Sequence, residues 1–70
     1  DYNIYMRYAF LEIDAQGRLE NLSRDYTQFA QYYEKALQLY NDQLQDNDQD
    51  SEMLLLENVH TQVVEGGWLE

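Results

Sequence analysis

The 70 residues carry fourteen acidic side chains against four basic ones, a net charge of −10, and contain neither Cys nor Pro. That size allows one domain, 1–70, and the absence of Cys excludes disulfides and thiolate zinc sites. The charge disfavours direct nucleic-acid or anionic-membrane binding, both of which draw on Lys and Arg.

Seven Tyr, two Phe and one Trp supply core material that disordered acidic chains lack. No apolar run approaches the roughly 20 residues that span a bilayer. No basic start followed by an apolar block marks a secretory leader, so a cytoplasmic location is expected, although Asp1 as the first residue suggests a processed or excised segment.

Residues 2–13 fit two templates. With period two, Tyr2, Ile4, Met6, Tyr8 and Phe10 line one face of a strand, and these residue types suit a pleated surface. With period 3.6, Tyr2, Tyr5, Met6, Ala9, Phe10 and Ile13 form a helical stripe. Asp14-Ala15-Gln16-Gly17 suits a short hairpin loop closed at a Gly bulge, and equally a helix ending at Gly17. The hairpin is the preferred expectation.

Residues 25–45 predict an amphipathic helix. Tyr26, Phe29, Ala30, Tyr33, Ala36, Leu37, Tyr40 and Leu44 recur at three- and four-residue steps. Asp25 with Gln28 three residues on resembles a capping box. The stretch 42–52 then reads as an acidic loop, because Asp and Asn favour turns and the like charges repel. Met53, Leu56, Val59, His60, Val63 and Val64 predict a third element, helix or strand, capped by Asp50 or Ser51 and stopped by Gly66-Gly67. Trp68 beyond the glycines is expected to fold back as a core or partner anchor. The expected class is therefore α+β: an N-terminal β-hairpin packed on one long helix, plus a short C-terminal element. The alternative is an all-α three-helix bundle.

Charge is concentrated towards one end. No Lys or Arg follows Lys35, yet Asp42, Asp46, Asp48, Asp50, Glu52, Glu57, Glu65 and Glu70 do. Acids at Asp46, Asp48, Asp50 and Glu57 occupy positions 1, 3, 5 and 12 of a twelve-residue stretch, with Met53 at position 8. That spacing resembles the calcium loop of EF-hand proteins and implies a Ca²⁺ site on those four carboxylates. Ser51 departs from the Gly expected at position 6, and Leu54 from the polar residue common at position 9.

No nucleophile elbow, phosphate-cradling Gly loop or His/Cys cluster points to catalysis. The single His60 is expected to be structural, and a non-enzymatic protein is expected. Charge favours binding to a basic protein surface through Asp42, Asp46, Asp48, Asp50 and Glu52, with Trp68 as an apolar anchor. A nucleic-acid-mimic inhibitor is the alternative, and self-association would suit so small a core.

Overall fold

The computed structural model describes residues 1–43 and 50–69. Among them are three α-helices: α1 (Tyr2–Gly17), α2 (Thr27–Gln43) and α3 (Ser51–Glu65). A 3₁₀ turn (Asn21–Ser23) lies between α1 and α2, and the described residues contain no strand. The expected N-terminal hairpin is overturned, and the bundle alternative is the arrangement found.

The 3.6-residue stripe decides α1. Met6 and Ala9 are buried, and Tyr2, Tyr5, Phe10 and Ile13 pack against that core. Ile4 and Tyr8, which a strand would place beside Met6, are instead 52% and 46% exposed. A hairpin also needs a second strand from residues 18–24. Their only apolar side chains, Leu19 and Leu22, are three apart and would point to opposite faces of a strand. The expected loop is the last turn of α1: Asp14 pairs with Arg18 at 3.0 Å. Gly17 lies within the helix and does not take a positive φ. At the other end, the Asp1 carboxylate accepts the Asn3 N–H at 3.0 Å, satisfying one orphan donor of the first turn.

In α2 the predicted periodicity holds. Phe29, Tyr33 and Ala36 are buried, as is Tyr26 just ahead of the helix. The Asp25 carboxylate accepts the Thr27 N–H at 3.0 Å, and this bonding holds its pKa below the usual value. Gln28 does not complete a capping box; instead the Asp25 N–H donates to Gln16 Oε1 at 2.9 Å, tying the start of α2 to the end of α1. The predicted core residue Leu44 lies outside the described residues.

Asp50 caps α3, accepting the Glu52 N–H at 2.9 Å. Met53, Leu56 and Val63 are its buried residues. Both glycines after α3 have a task. Gly67 has φ +84°, the left-handed conformation, and its N–H donates to the Val64 carbonyl while that of Trp68 reaches back to Val63. This double bond pattern is a Schellman ending, which Gly supports without the steric cost of a Cβ. A Cβ on Gly66 would sit 3.1 Å from the Trp68 ring, so the bare backbone there lets the indole fold back.

Ring contacts set the helix directions. Tyr2 meets Tyr40 at 4.9 Å and Tyr8 meets Tyr32 at 5.3 Å, so α1 and α2 run antiparallel. Phe29 meets His60 at 6.0 Å and Tyr26 meets Trp68 at 5.5 Å, so α3 returns antiparallel to α2. The bundle measures 42 × 21 × 18 Å. Phe29, Ala9, Ala36 and Leu56 are fully buried at its centre, where two alanines allow close approach of the helix backbones.

Phe29→Ala is expected to cost about 3–5 kcal/mol, against a total stability of roughly 0.05–0.15 kcal/mol per residue, and so to unfold much of the population. Leu22→Ser, at a fully exposed position, should stay within about 0.5 kcal/mol of the parent. Urea titrations followed by far-ultraviolet circular dichroism check both.

Candidate functional site

The first turn of α1, the last of α2 and the start of α3 meet at one end of the bundle, and Asp50 holds them together. Its carboxylate accepts the Tyr2 hydroxyl at 2.6 Å and the Glu52 N–H at the α3 cap. Its own N–H donates to the Tyr40 hydroxyl at 2.8 Å. Each helix thus contributes one group to a single junction. The Tyr2 hydrogen bond, together with backbone N–H groups of Glu52 and Met53, lowers the Asp50 pKa. Beside that carboxylate the Tyr2 phenol is pushed up from 10.0 to about 12, first by the hydrogen bond, then by partial burial and the negative charge.

Charge collects around this junction. Asp1 caps α1, Asp42 lies in the last turn of α2, and Asp50 and Glu52 open α3. Asp42 and Glu52 are exposed, and no ion pair engages either among the described residues. No Lys or Arg belongs to these helix ends: Arg7 and Lys35 lie further along α1 and α2. This is an acidic pole.

The opposite end is different. Arg24 donates to the carbonyls of Leu19 and Gly17, both at 3.0 Å, satisfying acceptors left open where α1 ends. Its guanidinium lies 5.9 Å from the centre of the Trp68 ring, within cation–π range. Arg18 is nearby in sequence and pairs with Asp14. Trp68 is half-buried against Tyr26, so it sits away from the acidic pole. Of the acids expected to bind a partner, Asp42, Asp50 and Glu52 therefore lie at the opposite end from the proposed aromatic anchor.

Only part of the calcium-loop spacing lies among the described residues. Asp46 and Asp48 lie outside the described residues. From Ser51 onward the stretch is helix, so Glu57 stands two turns beyond Asp50, about 10 Å along the axis. Asp50 is meanwhile engaged by Tyr2 and the helix cap. Among the described residues no group of three His, Asp or Glu side chains is placed to hold a metal ion.

His60 is half-buried, stacked at 4.4 Å between ring centres on Tyr33. Burial, with the Glu57 charge adding to it, raises the Tyr33 pKa. An open recess of about 230 Å³ is lined by Ile13, Tyr26, Val59, Gln62, Val63 and Trp68. It is smaller than the roughly 300–1,000 Å³ typical of small-molecule sites and brings no nucleophile and base together.

Sequence reasoning picked out Asp50 as a cap but missed Tyr2, Tyr40 and Arg24. Nothing local marks the tyrosines, since their partners are distant in the chain. No family model matches the chain, and neither does any curated protein or solved structure.

The junction carries a definite pH dependence. A lowered folded-state pKa for Asp50 means that its stabilisation is present above the unfolded value, about 3.9, and is lost as pH falls through the folded value. Asp50→Ala should cost about 0.5–2 kcal/mol at neutral pH as a lost helix cap, and the gap to the parent should close in acid. Chemical denaturation across pH 7 to 2 measures it. Spectroscopic titration of tyrosinate should show Tyr2→Phe removing a group that ionises near pH 12.

Proposed function

We propose that this chain is a small non-enzymatic interaction module that docks a basic protein surface through its acidic pole. The observation that carries this reading is the placement of Asp42 in the last turn of α2 and of Asp50 and Glu52 at the start of α3, with no Lys or Arg in those turns. Asp46 and Asp48 follow Asp42 in the sequence and add to the net negative charge of the chain. A field of one sign at one end of an elongated molecule orients an approaching partner before contact, which raises association rate more than final affinity. Exposed charges of this kind are each worth about 0.2–1 kcal/mol and are screened by salt. The complex is accordingly fast and salt-sensitive. An end-on cluster suits a compact basic patch better than it imitates the long, evenly spaced phosphates of a duplex.

A fluorescently labelled Lys/Arg-rich peptide, titrated by anisotropy, tests the assignment. Asp42→Asn combined with Glu52→Gln should weaken binding on the order of 2- to 10-fold. Glu65→Gln, near the other end, should change it far less. Affinity should fall steeply between about 50 and 200 mM salt. Equal losses from both ends, or binding indifferent to salt, would refute the acidic pole as the docking site.

A further inference from the structure

Helix α1 is apolar on two sides. Its inner stripe packs into the bundle, while Ile4, Tyr8, Leu11 and Ala15 form a second stripe at four- and three-residue steps on the outer side. Ile4, Tyr8 and Leu11 are 52%, 46% and 63% exposed, and Ala15 is exposed as well. Leu19 and Leu22 extend the apolar surface into the following connection, at 43% and 102% exposure. A stripe at this spacing is the seam by which helices pair. The chain exposes 5162 Å² for a mass of 8.4 kDa, above the roughly 4,600 Å² expected of a folded monomer of that mass.

We infer that the outer stripe of α1 joins two copies of this chain in an antiparallel, two-fold symmetric dimer. Charge selects a second copy as the occupant. With its caps, α1 holds Arg7 and Arg18 against Asp1, Glu12 and Asp14, a charge of only −1 in a chain of net charge −10. Two copies therefore meet on this helix with the least repulsion, whereas a strongly basic partner is drawn to the acidic pole instead.

Charge also selects the direction. A parallel pair would place two acidic poles side by side. An antiparallel pair separates the α1 starts by roughly 24 Å, the length of sixteen helical residues, well beyond the Debye length of about 8–10 Å. In the antiparallel register that sets Tyr8 against Leu11 of the second copy, Ile4 faces Ala15. Arg7 then flanks the seam beside Asp14 of the second copy, and symmetry repeats that pair. Asp14 is available for this, because its bond to Arg18 is an exposed pair within one helix and worth only a few tenths of a kcal/mol.

Sedimentation velocity over a concentration series tests the proposal on the full chain. The parent should shift from 8.4 kDa towards twice that mass as concentration rises. Leu11→Glu, at an exposed position, should keep its helical circular dichroism and remain monomeric. Arg7→Asp and Asp14→Arg should each weaken the dimer, because each places like charges across the seam, and the double variant should recover it. Since the chain has no Cys of its own, oxidising a mixture of Ile4→Cys and Ala15→Cys proteins should give mainly the mixed disulfide. A parent that stays monomeric up to about 1 mM, the weak limit of specific association, overturns the proposal and leaves the stripe to another chain. So does a dimer indifferent to Leu11→Glu. Homodisulfides from Ile4→Cys alone, in excess of the mixed product, would overturn the antiparallel arrangement.

Discussion

Asp50 is the point on which the bundle closes. One carboxylate and one peptide N–H engage a tyrosine from α1, a tyrosine from α2 and the opening turn of α3. A chain this small buries only about 60% of the surface its unfolded form exposes, so the entropy of ordering three helices is opposed by a thin core. Polar bonds that converge on one residue add specificity where apolar area is scarce. They also make an acid useful in a chain with too many. The starts of α1 and α3 each bring the positive end of a helix dipole to this pole, favouring Asp1, Asp50 and Glu52. The end of α2 does the opposite for Asp42, which is exposed.

The opposite end closes by different chemistry. Arg24 takes the open carbonyls at the end of α1 and lies over the indole of Trp68, which the Schellman turn at Gly67 has brought back against Tyr26. Acid and hydroxyl fasten one pole, cation and ring the other, with Phe29, Leu56 and two alanines packed between them. The distribution of charge along the bundle follows from these two fastenings, and so does the separation of Trp68 from the acids.

Much of α2 was legible because its apolar residues follow a single period and its remaining positions are polar. The start and stop of α3 were legible too, from Asp50 and the paired glycines. Residues 2–13 were not, since both of their apolar patterns are real: one faces the core and the other faces outward. Only the neighbouring segment arbitrates, through the spacing of Leu19 and Leu22. The Asp-rich spacing did not itself show that the cap at Asp50 commits the following residues to helix and sets Glu57 two turns further along. Tyr2 and Tyr40 were invisible as junction residues because contacts across 48 and 10 positions leave no local trace.

The ambiguity of the N-terminal segment and the outer stripe of α1 have the same origin. A helix with apolar residues on both sides matches a strand pattern because alternate residues are apolar, and it leaves half of those residues unburied when it packs on only one neighbour. Helices that are apolar all round are normally covered all round. In this bundle α2 and α3 cover one side of α1 and leave Ile4, Tyr8 and Leu11 exposed on the other. The proposed pairing through α1 would leave the acidic pole free at each end, so the proposed self-association and the proposed docking of a basic partner call on separate surfaces.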